Sequence, residues 1–363
     1  MVTAQKKYEF EPDYAVPPGA TLQETMKSLE MTQKELATRT GLTKQSLTRI
    51  ITGVQPISYE TANRLELVTQ VPARLWNNLE AQYREQLAKL AERKRLESNI
   101  EWLKTIPTRE LIDRGYLEPV KDKVVLLRKT LAFFGVSSVE AWQEIWEVPA
   151  VAARRSQCFE FRSKDAAVWI RQGELQAHKM KCSPFDKKRF QEALQKIRSL
   201  TREQPSVFEP EMKRLCAEAG VAVALVHEMK KVPWNGATKW LTPRKAMILL
   251  CLRGKMEDKF WFSFFHEAGH VLKDSKKDLL INDGSHDDPR EERADSFAAE
   301  FLIPRRHDDA IRLIRSRAEI INMADELSIA PGIVTGRYRF LTGKWNFFKD
   351  LIRTLQWNSS MTV

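Results

Sequence analysis

The sequence has no run of about 18 or more apolar residues, so no membrane-spanning helix is expected. Its opening, MVTAQKKYEFEPDY, lacks the apolar core of a secretory signal. The four cysteines, Cys158, Cys182, Cys216 and Cys251, form no CxxC pair. That argues against thiolate zinc sites and dithiol redox motifs, and for reduced, mostly buried thiols. These absences together predict a cytoplasmic protein without a membrane partner. No internal repeat and no low-complexity tract is visible. Histidine is scarce, with 6 in 363 residues, so where the histidines fall is informative.

The length suggests two or three domains, each able to bury its own core. Hydrophobic residues make up 43% and charged residues 29%, as in ordinary globular chains. The net charge of +11 leans toward a polyanionic partner. Its distribution weakens that inference. Residues 1–80 hold 9 Lys/Arg against 9 Asp/Glu, and the excess is spread over the remaining chain. A solvated basic surface explains the total equally well.

Residues 1–19 read as an irregular arm closed by Pro17, Pro18 and Gly19. Short helices with tight turns follow over 20–83. Residues 84–199 read as a helical middle region, beginning in a long helix from Ala73 to about Lys104 and carrying no catalytic cluster. After Pro205 the texture changes. VAVALVHEM (221–229) and KAMILLCLRG (245–254) have strand length, and Asn235–Gly236 between them is a hairpin signal. A domain is therefore predicted over 200–345, with helices to about Gln356 and a tail over 346–363. The predicted fold is mainly α: an all-α N-terminal domain, a helical middle region and a small α+β C-terminal domain.

Within the first domain, TQKELATRTGLTKQSLTRIITG (32–53) reads as two capped helices. Thr32 with Glu35 forms a capping box, Gly41 supplies a left-handed stop, and Thr43 caps the second helix. Leu36, Ala37, Leu42, Leu47 and Ile50 are spaced to pack the pair, which is the helix-turn-helix plan. The second helix of such a motif enters the major groove. Lys44, Gln45, Thr48 and Arg49 face outward for base edges, and Gln33 and Lys34 are placed for phosphates. The segment from Pro17 to Tyr83 resembles the Xre/Cro-type regulators, and within them the HigA-type antitoxins. The PG-x-x-L opening, the TQ-x-x-LA-x-x-x-G core, Pro56–Ile57–Ser58, and Pro72, Trp76, Asn78 and Leu79 carry that resemblance. It implies operator binding on double-stranded DNA as a homodimer, and a toxin as one class of partner.

In the last domain, FSFFHEAGH (262–270) contains HExxH. On a helix this sets His266 and His270 one turn apart on one face, able to share one Zn²⁺. Glu267 points about 100° away around the axis, where it can act as general base on a metal-activated water. A third ligand must come from His286, Asp287, Asp288, Glu291, Glu292 or Asp295. Glu291 is favoured because it opens the next helix with Asp295 one turn later. That is the ExxxD spacing of thermolysin-like metallopeptidases, in which the Asp holds a ligand His by its second ring nitrogen. His286, in a Gly/Asp loop, is the rival.

FWFSFFHEAGHVL (260–272) and EERADSFAAEFLIP (291–304) resemble the ImmA/IrrE family of metallopeptidase-like domains. GATKWL (236–241) with the strand to Cys251 fits the substrate-side hairpin of that family, and LSIAPGIVTGR (327–337) its closing helical segment. The resemblance implies a zincin-like fold, Zn²⁺ on His266, His270 and Glu291, and cleavage of a particular repressor protein. An extended substrate would then add to the edge strand near Gly236–Leu241. Two readings follow: a regulator that binds its operator and cleaves a repressor, or an antitoxin-like autorepressor whose peptidase-like domain is a sensor or scaffold.

Overall fold

A computed structural model describes residues 13–147, 163–276, 280–281 and 288–357. It divides into two compact units, Met1–Ile100 and Glu101–Val363. The architecture is mainly α, with one four-stranded sheet in the second unit. No helix among the described residues is long and apolar enough to cross a membrane.

The described residues of the first unit form five helices: α1 (Pro18–Ser28), α2 (Gln33–Thr40), α3 (Lys44–Ile51), α4 (Tyr59–Thr69) and α5 (Ala73–Glu97). Pro18 occupies the first turn of α1, where a missing N–H costs nothing. Helix α1 thus begins two residues inside the expected arm. Leu22, Leu36, Leu47, Ile50, Leu65 and Trp76 form its buried centre. They come from all five helices at three- and four-residue spacings, which is why the amphipathic pattern was readable. Glu80 lies under the Ile57 amide and accepts its N–H at 3.0 Å, tying the loop after α3 to α5.

The second unit opens with α6 (Thr108–Asp113), α7 (Lys123–Phe134) and α8 (Val139–Trp142). Trp102, Phe134 and Trp142 meet edge to face. Next come α9 (Ser163–Lys179), α10 (Lys187–Leu200) and α11 (Pro205–Glu218). The strands are β1 (Val221–Leu225), β2 (Gly236–Thr242), β3 (Lys245–Leu250) and β4 (Leu280–Ile281), in the order β1-β3-β2-β4. β1 runs parallel to β3, and β2 runs antiparallel to both β3 and β4. The hairpin predicted at Asn235–Gly236 is thus displaced. The two-residue turn is Pro243–Arg244, and Asn235–Gly236 leads into β2.

Both faces of this sheet are covered, which explains the unbroken apolar runs of β1 and β3. Ala246, Ile248 and Leu250 belong to the core shared with α12 (Glu257–Lys273). Met247 and Leu249 alternate to the other face, where Leu249 meets Gly173 of α9. Phe190, Leu194 and Ile197 of α10 and Phe208 and Met212 of α11 join the core of the sheet. The helical stretch read as 84–199 is accordingly divided. Its first part continues α5, and α9 and α10 pack with the strands that follow.

The chain continues through α13 (Pro289–Leu302), α14 (Asp308–Leu313), α15 (Arg317–Leu327) and α16 (Pro331–Thr342). Helical structure was expected to about Gln356, but α16 ends at Gly343, which closes it at φ 69°. The segment beyond docks beside the start of α12. Glu257 donates its N–H to the Arg353 carbonyl, and Leu355 donates to Lys255. The Arg353 guanidinium binds the buried Glu257 carboxylate and the Thr201 and Glu203 carbonyls.

Candidate metal centre and nucleic-acid interface

α12 is buried on every side from Ser263 to Leu272, so its polar side chains need partners inside the protein. His266 and His270 are each 1% exposed and Glu267 is 0% exposed. The small side of α12 at Gly269 lets α13 come close. A Cβ there would lie 3.1 Å from Phe297 and 3.3 Å from the Ala294 backbone. That approach carries Glu291, on the first turn of α13, over the two histidines.

Nε2 of His266 and Nε2 of His270 lie 3.0 Å apart. Glu291 Oε2 is 3.1 Å from the first, and Glu291 Oε1 is 3.3 Å from the second. One ligand atom from each residue falls within 4.8 Å of the others. Both Nδ1 atoms face carboxylates: Asp295 Oδ1 at 2.7 Å from His266 and Asp274 Oδ2 at 2.7 Å from His270. An ionised carboxylate only accepts, so each Nδ1 carries a proton, and each ring when neutral turns a lone pair inward. Three acceptors then converge with no donor between them. Protonating both rings would instead set two N–H donors 3.0 Å apart. One divalent cation satisfies all three atoms together, and two imidazoles with one carboxylate are a donor set suited to Zn²⁺.

Without an ion, the same field favours positive charge on the rings. Burial alone would depress His266, but Asp295, Glu291 and Glu267 outweigh it and raise its pKa to about 10. His270 is likewise raised against its burial, chiefly by Glu291. Burial works to raise Glu291, yet the two histidines bring it down to about 2. The cage is strongly cation-seeking.

Glu267 sits over β2 instead. Register places Gly236 and Thr238 opposite Leu250 and Ile248, on the face toward α12. Thr238 Oγ1 donates to Glu267 Oε2 at 2.7 Å. Glu267 Oε1 has no partner among the described residues. A Cβ at position 236 would lie 2.5 Å from that oxygen, so the glycine leaves room for the carboxylate. Burial raises the Glu267 pKa, opposed by His266, His270 and the Thr238 hydroxyl.

The structure therefore brings His266, Glu267, His270, Glu291 and Asp295 together. Asp288 caps α13 and pairs with Arg290, and Glu292 is exposed; neither joins the cage. His286 and Asp287 lie outside the described residues. Asp274, Thr238 and Gly236 were not anticipated. Asp274 follows His270 at i+4 and also binds Arg293 at 2.8 Å, a spacing that could have flagged it. The strand expected to offer a free edge near Gly236–Leu241 is an inner one over Ala237 and Thr238, where β4 pairs. Beyond these two residues, Lys239–Thr242 carry no strand partner on that side among the described residues.

In the first unit, Gly41 adopts φ 69° between α2 and α3, and Thr43 accepts the Ser46 N–H as N-cap. Thr32 accepts the Glu35 N–H, but the Glu35 side chain pairs with Arg39 rather than closing the box. Lys34, Lys44, Gln45, Thr48 and Arg49 are exposed. Gln33 donates to Thr48 Oγ1 at 2.8 Å, locking the two helices where a phosphate contact was expected.

Residues 22–76 match the helix-turn-helix family. Residues 223–315 match the IrrE N-terminal-like domain family. No curated protein matches the chain.

Proposed function

From a chain that joins an Xre-type helix-turn-helix domain to an IrrE/ImmA-like metallopeptidase domain, we propose a regulator that binds its operator as a homodimer and cleaves a repressor protein. The functional limits are 20–83 for DNA and 200–345 for chemistry, and the place of action is the cytoplasm. The observation that carries the reading is the pairing of a complete cage, His266, His270 and Glu291, with a separate buried carboxylate, Glu267, that takes no part in it. A scaffold needs the ligands alone.

Zn²⁺ held there would supply a Lewis acid and a water of lowered pKa. Asp295 and Asp274 fix the two rings with both Nε2 atoms turned inward, where they and Glu291 would hold the ion. Thr238 holds one oxygen of Glu267 and leaves Oε1 for the attacking water. Glu267 accepts that water's proton as its oxygen bonds to the scissile carbonyl carbon. The C–N bond then breaks, and Glu267 returns the proton to the leaving amine. At the DNA, Lys44, Gln45, Thr48 and Arg49 read base edges in the major groove, and Lys34 meets a phosphate.

The test is Glu267→Gln. The full chain, zinc-loaded, is incubated with a tagged Glu267→Gln copy and with the products of adjoining genes, and new termini are sought by mass spectrometry. Cleavage by the parent and none by the variant, at equal zinc content, is expected. Cleavage that survives the substitution overturns the mechanism. The second reading, an antitoxin-like autorepressor with a silent peptidase domain, rests on the HigA-like features of residues 17–83. It gains if operator repression persists, an adjoining toxin is bound, and no substrate is cut.

A further inference from the structure

The last turn of α16 and the segment after it read RYRFLTGKWNFFK (337–349). From Leu327 to Lys349 the chain carries Arg337, Arg339, Lys344 and Lys349 and not one carboxylate. Three aromatic side chains stand in solvent here: Phe340 at 68% exposure, Trp345 at 58% and Phe347 at 51%. A single exposed ring needs no explanation, but three so close in the chain mark a surface that meets something. Each ring also lies beneath a cation. Arg337 is 5.7 Å from the centre of Phe340, Arg339 is 5.6 Å from Trp345, and Lys344 is 5.4 Å from Phe347.

The rings stand on a fixed base. Phe348 turns inward at φ 54° and packs on buried Tyr338 at 5.3 Å, and Phe347 meets Phe348 edge-on at 5.9 Å. Arg312 donates to the Leu341 carbonyl at 2.9 Å, pinning the end of α16 and adding another cation. Acidic neighbours balance only part of this charge. Asp308 pairs with Arg337, Asp258 faces Arg339, and Asp350 pairs with Arg317. Lys344 and Lys349 are exposed and hold no ion pair among the described residues.

We propose that this surface binds single-stranded nucleic acid, with bases stacking on Phe340, Trp345 and Phe347 and phosphates meeting Lys344, Lys349 and Arg339. Exposed rings interleaved with cations are what an unpaired strand requires: π-faces for bases and positive charge for its backbone. A duplex hides its base faces and would leave the rings unused. An apolar protein partner would use the rings and leave the cations unused. The proposal is independent of the peptidase reading, because none of these residues enters the metal centre or α2–α3.

The test is fluorescence anisotropy of a labelled oligodeoxythymidine of about 20 nucleotides, with the full chain at several salt concentrations. Saturable binding is expected, weakened roughly tenfold or more in Phe340→Ser/Trp345→Ser/Phe347→Ser. Lys344→Glu/Lys349→Glu should weaken it too and flatten the salt slope by about 1.4. Unaltered melting temperatures establish that the variants fold, and the charge pair stands alone if the ring variant does not. The proposal is overturned if the parent does not bind, if both variants bind like the parent, or if an equal-length duplex competes as well as the single strand. It is also overturned if the ring variant loses a protein partner while its oligonucleotide binding holds.

Discussion

The molecule contains the same local geometry twice, with opposite uses. α2 ends at Thr40, Gly41 turns left-handed, Leu42 points inward, Thr43 caps and α3 begins at Lys44. α15 ends at Leu327, Ser328 turns left-handed, Ile329 is buried, Ala330 holds the N-cap position without a side-chain bond and α16 begins at Pro331. In that register Lys44, Gln45, Thr48 and Arg49 correspond to Pro331, Gly332, Thr335 and Gly336. The first set is polar and exposed. The second is small and packs on the start of α12. A Cβ on Gly332 would overlap the Glu257 carboxylate, and one on Gly336 would lie 2.8 Å from Asp258. One backbone plan thus presents a polar face to solvent in one unit and seats α12 in the other. What the motif does is decided by side-chain size and charge at four positions, not by its turn.

The largest effect should come from Arg353→Ala. It leaves Glu257 buried without its cation, at a cost of ~3–5 kcal/mol near neutral pH. Burial already raises the Glu257 pKa, so the folded state binds its proton more readily than the unfolded chain does. Stability from this group is therefore lost as pH rises through the interval between the two values. The variant's deficit should shrink as pH falls and Glu257 protonates, readable from urea midpoints at two pH values. A pH-independent deficit would remove Glu257 from the account.

Gly332→Ala comes next, at about 2 kcal/mol by overpacking, seen as a lower melting temperature. Gln45→Ala, at the matching position of α3, should change stability by less than about 0.5 kcal/mol. Equal penalties at the two sites would erase the contrast between the two turns. Arg49→Ala should weaken operator binding by ~1–3 kcal/mol without moving the melting temperature, measured by mobility shift on the chain's own upstream region. Undiminished specific binding would displace α3 as the reading helix. Smallest is Lys34→Ala, which should weaken binding evenly across sequences and reduce the salt slope by about 0.9.

The polar, outward version of the motif was legible in the sequence because its caps, glycine and apolar spacing each have a local cause. The inward version read only as a closing helical segment, since small residues at 331, 332 and 336 announce nothing until their neighbour is known. The metal cage shows the same divide. Helical periodicity pairs His266 with His270 and Glu291 with Asp295, while the approach of one helix to the other depends on packing at Gly269. Thr238 reaches Glu267 from a strand 29 residues away, a contact set by sheet register alone. Asn235–Gly236 misled for a physical reason: the glycine that suits a turn is there to clear a carboxylate.

That clearance ties two positions together in descent. No L-side chain fits at 236 while the Glu267 carboxylate stays where Thr238 holds it. A lineage that replaces Gly236 must shift or discard the Glu267 carboxylate, whereas one that keeps only the cage has no reason to retain the glycine. Position 236 is therefore a one-letter diagnostic: across relatives, its identity should sort domains that still turn over from those that only bind.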